Sequence, residues 1–426
     1  MKTSIRKLIV LFITLSTPLL HAQEFKASLD FRDRFEYRHG FGNLFPDDAD
    51  PAAFVRQRAR INLGYTSDRI EAMFSIQDIS TWGDTRQILP ADDNNSLMLF
   101  QAWVALKLNT SWKIKVGRQP ISYDNQRILG GLDWAMQGRT HDAALLQYKG
   151  ERWGTDLAFA FSQSGEPITG NSYDITGFFS YKTMQYAYLY KDWNGSRFSF
   201  LFMNNGFQSY NADQEADGTY NRQTTGAYFK FPAGKFNFEG NFYYQFGKAN
   251  ANSDLSAYDF ILEAIYKPGK TAFGIGLEIL SGTDQDGDSK NHSFFPLYGT
   301  NHKFNGFMDY FYVGNHANNV GLNDINAKVN VKTGDNSSLL IKGHYFAANG
   351  KLTNDADPYL GTEIDIVYSN KFWNVATVNA GYSQMFASEG MSLIKGDLPH
   401  DNLNNWFWIQ LIVDPVLFTH KFNGTD

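Results

Sequence analysis

Residues 55–63 have the sequence VRQRARINL, in which positions 56, 58 and 60 are all arginine. In an extended chain successive side chains point to opposite faces, so three guanidinium groups share one face of this segment. The positions between them are mostly apolar. The preceding segment, residues 29–38 (LDFRDRFEYR), alternates in the same way, with Asp33 as its one exception. Two neighbouring strands with one charged and one apolar face are typical of a wall between water and lipid.

The same alternation recurs along the chain from Phe25 to Phe418, in about 18 short segments. Short and long connectors alternate between these segments. The short ones consist of turn-forming residues and lie near 66–68, 109–111, 149–151, 194–196, 232–234, 268–269, 334–336 and 369–371. The long ones span about 40–52, 81–95, 120–141, 163–177, 205–221, 248–255, 282–319, 348–360 and 387–402. This rhythm predicts an all-β fold, a transmembrane antiparallel β-barrel of about 18 strands with short periplasmic turns and long extracellular loops.

The first 22 residues predict export from the cytoplasm. Lys2, Arg6 and Lys7 precede an apolar run from Leu8 to Leu20, and a small residue, Ala22, follows. This is the pattern of a secretory signal peptide cleaved after residue 22. We therefore expect a signal peptide over 1–22 and one outer-membrane β-barrel domain over 23–426, located in the outer membrane of a Gram-negative bacterium. No later apolar stretch reaches the length of about 18 residues that a transmembrane helix needs.

Composition supports the barrel. Aromatic residues make up 16% of the 426 residues, more than a soluble core needs but suited to a lipid-facing belt. Trp112, Trp153, Trp193, Phe236 and Trp373 each stand at or beside a short connector, where a periplasmic aromatic girdle is expected. A soluble β-sandwich or propeller would share the alternation but not the signal peptide and girdle. A receptor with a plug domain would need about 22 strands, and the chain has no room for one.

The arginines of the first two strands are expected to face the lumen, because a lipid-facing arginine costs about 2–4 kcal/mol at the bilayer midplane. Two interpretations remain open. Asp30, Glu36 and other carboxylates could simply neutralise them, or they could form an anion-attracting stripe, since Arg stays charged and binds carboxylates bidentately. Other strands predict an acidic wall facing the arginines, at Asp259, Glu263, Glu278, Glu363 and Asp365. Further positive lumen candidates are Lys115, Lys328, Lys332, Lys342 and His344.

Residues 116–127 (VGRQPISYDNQR), continued by 128–134 and 137–142, and residues 299–307 (GTNHKFNGF) resemble the alginate export porin family. The resemblance covers most of the mature chain. It implies an 18-stranded outer-membrane barrel whose narrow lumen, lined by Arg and Lys, passes an anionic uronate polymer. The selectivity residues that it implies here are Arg32, Arg34, Arg56, Arg58, Arg60, Arg118, Arg127 and Arg139, with Asn125 and Gln126 as hydrogen-bonding neighbours.

These observations predict an outer-membrane porin for passive transport of anionic polysaccharide or oligosaccharide, such as alginate-like uronates. The alternative is a general, weakly selective porin for small polar solutes. A structural or adhesive barrel with a closed lumen is a third hypothesis, favoured if loops 120–141 and 282–319 fill the pore. Loop 120–141 contains aromatic and charged residues and is expected to be ordered, packing either inside the barrel or outward over its neighbours.

The expected partners are outer-membrane lipid and lipopolysaccharide, an anionic saccharide solute, and the barrel-insertion machinery, which would recognise Phe418 as the final aromatic. Pro415 predicts a bulge or an early end in the last strand, because proline lacks a ladder donor. Nothing in the chain suggests nucleic acid, since it has no basic tail.

Other candidate chemistry is sparse. The chain contains no cysteine, which excludes disulfides and thiolate metal sites. Asp284, Asp286 and Asp288 in loop 282–290 have the alternating carboxylates that calcium favours. However, Phe295 stands where an EF-hand would place glutamate, so an ordinary acidic turn is the alternative. No other cofactor is expected. His292 is followed by Ser293, but adjacency along the chain does not make a catalytic constellation, so we do not predict an enzyme.

Overall fold

The computed structural model describes residues 23–86, 97–173, 180–287, 290–312, 316 and 319–422. The predicted signal peptide, residues 1–22, lies outside these ranges. The strands are β1 (Gln23–His39), β2 (Ala52–Thr66), β3 (Ile70–Thr81), β4 (Met98–Lys107), β5 (Trp112–Gln119), β6 (His141–Lys149), β7 (Trp153–Phe161), β8 (Thr183–Trp193), β9 (Ser196–Tyr210), β10 (Ala216–Ala233), β11 (Phe236–Asn250), β12 (Ser253–Tyr266), β13 (Thr271–Leu280), β14 (Leu322–Lys332), β15 (Ser337–Ala347), β16 (Tyr359–Phe372), β17 (Ala376–Ala387), β18 (Asn404–Val413) and β19 (Val416–Phe422).

From β1 to β18 each strand pairs antiparallel with the next, and β1 closes the ring. One edge of β1 pairs with β2 and the other with both β18 and β19, so the last two segments occupy one strand position. The fold is thus the closed 18-stranded antiparallel barrel that the alternation predicts. Within the described ranges no helix is long and apolar enough to cross a membrane; the helix α1 (Glu389–Ile394) has 6 residues.

The predicted irregularity at Pro415 is confirmed. β18 ends at Val413, and β19 resumes at Val416 with a shift in register opposite Ala27 and Ser28. The carbonyl of Pro415 accepts the backbone N–H of Leu29 (3.1 Å), so the break costs little pairing. The strand then runs on to Phe422, whereas the sequence predicted that it would end at Phe418.

The two faces of the wall are separated as expected. Outward positions carry exposed apolar side chains such as Ile61, Val116 and Ile275, while the inward Arg58 is fully buried inside the barrel. Apolar groups in contact with lipid satisfy the hydrophobic requirement of the bilayer. At the rim of the short turns, Trp153, Trp193 and Trp373 are exposed beside strand ends, as predicted for the girdle.

Three connectors differ from the prediction. Residues 369–371 belong to β16, and the turn lies at 373–375, where Trp373 and Asn374 adopt positive φ. The expected long loops 205–221 and 248–255 are mostly strand: β9 and β10 are joined by residues 211–215, and β11 and β12 by residues 251–252. Above the lipid the outward face of a strand meets water, and polar residues such as Asn205 and Gln245 on the inward face bind loop 290–312, so the polar–apolar alternation disappears although the hydrogen-bonded ladder continues.

Loops 120–140 and 290–312 fold into the lumen, and together we call them the plug. Leu129 and Tyr298 form a short parallel bridge between them. Leu129, Leu297, Tyr298, Met308 and Tyr310 are almost completely buried. The barrel therefore contains an apolar core of its own, built from loop residues, and loop 120–140 packs inward rather than over its neighbours.

Candidate functional site: a charged lumen

Strands β1 and β2 bring six arginines together on the inner wall. We call this group the arginine cluster: Arg32, Arg34, Arg38, Arg56, Arg58 and Arg60. The register places Arg32 opposite Arg58 and Arg34 opposite Arg56. Like charges directly opposite one another destabilise a sheet, so these pairs need carboxylates nearby.

Three carboxylates supply that need. Asp30 contacts Arg58 (2.6 Å), Arg32 (3.1 Å) and Arg60 (3.5 Å). Glu36 pairs with Arg34 and Arg38, both at 2.8 Å. The third carboxylate, Asp133, comes from the plug and lies 2.8 Å from Arg32 and 3.5 Å from Arg58. The neutralising interpretation is therefore correct for part of the cluster.

The remaining part keeps an excess of positive charge, since six guanidinium groups face three carboxylates. Arg56 in particular has no ion pair or hydrogen bond through its side chain among the described residues, and its Nε is buried without a partner. An unpaired buried cation is costly unless water or a ligand solvates it. Arg56 is therefore the member of the cluster with the most capacity left for an anion.

The plug covers the arginine cluster with backbone carbonyls. Arg34 donates to the carbonyl of Trp134 (2.9 Å), and its guanidinium stacks 4.0 Å from the centre of the Trp134 ring. Arg58 donates to the carbonyl of Met136 (3.1 Å). Asp133, in contrast, has 68% of its side chain exposed, so it faces open space in the lumen. Two backbone carbonyls of the plug thus cover part of the cluster, and one exposed carboxylate lies beside it.

Four predicted site residues lie within the plug and bind its parts together. Arg127 is buried, pairs with Glu278 on β13 at 2.7 Å, and donates to Asn305 (3.0 Å). Asn125 donates to Asn241 on β11 (2.7 Å). Gln126 accepts from the Thr300 hydroxyl, and Arg139 donates to the Gly299 carbonyl. The structure brings these four into the lumen, where Arg127 and Asn125 bind the plug to the wall and Gln126 and Arg139 bind the two loops of the plug to each other.

Arg118 lies on the outer face of the barrel, which corrects the prediction that it lines the lumen. Its directly paired neighbours are Ala102 and Asp142, which point outward with the exposed Val116. Its guanidinium forms two hydrogen bonds to the Asp142 carboxylate, 2.9 and 2.8 Å long. Lying at the end of β5 away from the periplasmic turn, this ion pair can be solvated above the lipid. Arg118 is two positions from the apolar, outward Val116 on the same strand, so the alternation of side chains could have predicted this orientation.

The predicted acidic wall faces inward but does not form an open surface. Asp259, Glu278, Glu363 and Asp365 are buried beneath the plug. Glu363 accepts the backbone N–H of Met308 (2.9 Å). Glu278 and Glu363 therefore bind the plug, while Asp259 and Asp365 accept hydrogen bonds from wall residues, and these bonds offset the cost of burial. The arginine cluster and these carboxylates therefore do not face each other across an open pore.

Sequence analysis missed two contributors to the lumen. Asp133 joins the arginine cluster from far along the chain, and nothing in the local pattern shows this. Lys267, Lys270 and Lys303 line a recess on β12 to β15, together with the predicted lumen lysines Lys328, Lys332 and Lys342. Lys267 and Lys270 flank the turn Pro268-Gly269 and continue the inward faces of β12 and β13, so their position in the sequence could have predicted that they face the lumen. Lys303 lies in a loop, where no local pattern predicts its orientation.

The candidate calcium loop is occupied by hydrogen bonds from a neighbouring loop. Asp284 accepts the backbone N–H of Lys351 (2.8 Å), and Asp286 accepts that of Asn354 (3.3 Å). Asp288 lies outside the described residues. Among the described residues no group of three or more His, Asp or Glu side chains is arranged to hold a metal. Calcium binding stays a prediction.

The closed barrel, its lipid-facing apolar belt and its charged lumen define an outer-membrane channel of the porin class, in contact with membrane lipid. The model of the family named Alginate export matches residues 24–392. The chain therefore belongs to the alginate export family, and its place is the outer membrane of a Gram-negative bacterium.

Solved structures with the same fold support the class. The chain is similar to Pseudomonas aeruginosa OccK11 (OpdR), with 12% identity over 92% of this chain and 96% of that one and a TM-score of 0.60. A BenF-like porin from Pseudomonas fluorescens Pf-5 gives 14% identity, 92% and 99% coverage and a TM-score of 0.61. Acinetobacter baumannii OccAB4 is 14% identical over 96% of this chain and 100% of that one, with a TM-score of 0.60. No curated protein matches the chain.

Proposed function

We propose that this channel passes anionic uronate saccharides, as oligomers or polymer, by passive diffusion through a lumen made selective by the arginine cluster. The observation that carries the proposal is the excess of guanidinium groups over carboxylates, with no partner for the Arg56 side chain among the described residues. A guanidinium group matches a carboxylate bidentately and stays charged at any physiological pH. Membership of the alginate export family supports the same substrate class.

The geometry suggests how a uronate would move past the cluster. Asp133 already binds Arg32 through a carboxylate that remains exposed to the lumen. A uronate carboxylate has the same chemistry, so it can exchange with Asp133 without leaving a guanidinium unpaired. Because the two partners are equivalent, each exchange changes the free energy little, so the uronate binds weakly enough to leave again, as conduction requires.

A general, weakly selective porin is the second candidate, and the ion pairs of Asp30 and Glu36 favour it. If local carboxylates screened the whole cluster, the pore would discriminate little between anions and cations. The depth to which the plug fills the lumen favours the third candidate, a closed barrel. Both alternatives differ from the proposal in what they predict for ion flow.

A pair of single substitutions tests the proposal. Arg56→Gln removes a lumen charge that has no carboxylate partner in the part of the chain that the structure describes. Arg118→Gln removes the same charge from the outer face and serves as the matched control. In planar bilayers under a dilute potassium chloride gradient, we expect the intact channel to prefer chloride, Arg56→Gln to shift the reversal potential toward cation preference, and Arg118→Gln to leave it unchanged.

Salt concentration supplies a second condition for the same test. Fixed charge acts over a Debye length of about 8 Å at physiological ionic strength and about 3 Å at 1 M salt. Selectivity should therefore fade in concentrated salt. A reversal potential indifferent to Arg56→Gln would favour the general porin, and a protein that inserts but does not conduct would favour the closed barrel.

We further propose that the channel performs no catalysis and that lipopolysaccharide contacts its outer surface. The side chain of His292 contacts the Ser256 carbonyl (3.0 Å), and that of Ser293 donates to the Asn319 carbonyl, so the two are engaged with backbone rather than with each other.

The exposed aromatic residues of β19, Phe418 and Phe422, support recognition of this last strand by the barrel-insertion machinery.

A further inference from the structure

A recess of about 540 Å³ opens on the inner wall beside the periplasmic turns that join β12 to β13 and β14 to β15. Its walls come from the inward faces of these four strands, and the plug residues Lys303 and Phe307 also line it. The recess lies on strands well separated from β1 and β2 around the ring, so it is distinct from the arginine cluster.

Small residues on β13 create the space. The inward positions Ala272 and Gly274 carry almost no side chain, whereas the outward positions Phe273 and Ile275 are large and exposed. A Cβ atom at Gly274 would stand 2.8 Å from Cε of Lys328 on the adjoining strand. The missing side chain therefore leaves room for a lysine to lie across the wall.

Six lysines line this recess: Lys267, Lys270, Lys303, Lys328, Lys332 and Lys342. None of the residues that line it is acidic. Lys328 pairs with Glu263 (2.5 Å) just outside, and Lys303 donates to the carbonyl of Asn125. The other four have no carboxylate partner among the described residues. A concave surface with low-dielectric walls and charges of one sign concentrates the opposite charge.

Two further features define the kind of anion that fits. Ile265, Phe307 and Leu340 give the recess apolar surface, and the Lys342 ammonium lies 5.9 Å from the centre of the Phe307 ring. A second cavity of about 260 Å³ shares Lys303, Lys328 and Lys342, but Glu239, Glu263, Glu278 and Asp324 also line it, so the purely basic surface ends where the recess meets this cavity. Within the recess the ammonium groups, the polar side chains of Asn330 and Ser338 and an apolar ring suit a ligand that carries carboxylates and hydroxyls on an apolar frame.

We propose that this lysine recess is a binding site on the periplasmic side for a carboxylate-bearing saccharide, which holds a short stretch of the chain before it meets the plug. The inference rests on the proposed function for its substrate class, but it assigns a separate site. Its volume falls in the range of about 300–1,000 Å³ that takes small ligands, enough for a short oligomer.

The test compares two triple variants with equal loss of charge. Lys270→Gln/Lys332→Gln/Lys342→Gln empties the recess of three ammonium groups. Lys149→Gln/Lys191→Gln/Lys235→Gln removes three lysines near other periplasmic turns and serves as the control. Binding of trigalacturonate and of neutral maltotriose is measured by calorimetry on the full chain in detergent micelles at low salt, which requires no conductance.

We expect trigalacturonate to bind the intact protein and the control alike, the recess variant to bind at least about tenfold more weakly, and maltotriose to bind far more weakly than trigalacturonate. Equal trigalacturonate affinity in both triple variants would overturn the site, as would equal affinity of the intact protein for the two sugars. If the triple variant does not fold, Lys332→Gln alone, at an exposed strand end, tests the same site, with a smaller expected loss of trigalacturonate affinity.

The outcome is separable from that of the proposed function. Loss of trigalacturonate affinity in the recess variant, combined with an ion preference indifferent to Arg56→Gln, would sustain the recess and reject selectivity by the arginine cluster. A normal response to Arg56→Gln with unchanged trigalacturonate affinity would do the opposite.

Discussion

Arg56 and Arg58 stand two positions apart on the same strand face, yet their surroundings differ completely. Arg58 is fully buried and bonded to Asp30 and to a plug carbonyl, while Arg56 has no partner among the described residues. The alternation of residues 55–63 was sufficient to predict that both face inward, because the side-chain period of a strand is two. It was not sufficient to predict which one is neutralised, because a partner such as Asp133 arrives through tertiary folding.

Arg118 illustrates the opposite failure at this scale. It follows a glycine at the end of a strand, and the motif that carries the family resemblance says nothing about which face it occupies. Counting positions from the apolar Val116 places Arg118 on the lipid side, as the structure does. Face assignment by parity was therefore more reliable here than assignment by motif.

The buried pair of Arg127 and Glu278 gives a prediction for stability. Arg127→Met leaves the Glu278 carboxylate buried and unpaired beneath the plug, which costs about 3–5 kcal/mol when one partner of a buried pair is removed. We expect the plug to loosen, so that single-channel recordings show larger and more variable conductance.

The double variant Arg127→Met/Glu278→Gln is the control for that prediction. It removes the stranded charge together with its partner, so steady conductance should largely return. If Arg127→Met behaves like the intact channel, the ion pair does not hold the plug.

At the scale of elements, strands crossing the lipid were predictable and those rising above it were not. Periodicity places β1 and β2 almost to the residue, because lipid on one side and water on the other impose the alternation. The upper halves of β9 to β12 have water on the outer side and the plug on the inner side, so polar residues stand on both faces and their sequence resembles a loop although they are paired. The inward path of loop 120–140 depends on contacts with 290–312, which no local pattern contains.

Loop 282–290 carries the calcium prediction. Asp284 and Asp286 each use one carboxylate oxygen to bind the loop that follows β15, so calcium would reinforce a contact that already exists. We expect weak binding at millimolar calcium, detected by calorimetry on the intact protein and abolished by Asp286→Ala. Absence of any heat of binding at that concentration would identify an ordinary acidic turn.

At the scale of the whole molecule, closure of the sheet was predictable from strand number and from the aromatic girdle. A closed barrel leaves few unpaired edges, so it resists detergents that unfold other proteins. We expect the unheated protein to migrate faster in a detergent gel than the boiled protein, with a circular dichroism spectrum dominated by strand. A helical spectrum, or equal mobility before and after boiling, would contradict the fold.

The seam between β1 and the β18–β19 pair joins residues from opposite ends of the chain: Gln23 lies beside Phe422 and His39 beside Asn405. The entropy lost in closing a loop of that length is about 5 kcal/mol, since it grows only with the logarithm of the number of residues. Timing matters more than this cost. β1 cannot find its second neighbour until almost every other residue has been delivered, and long-range strand pairing is slow. For all that time the nascent sheet has two unpaired edges, and both segments beside Pro415, β18 before it and β19 after it, are needed to cover the free edge of β1.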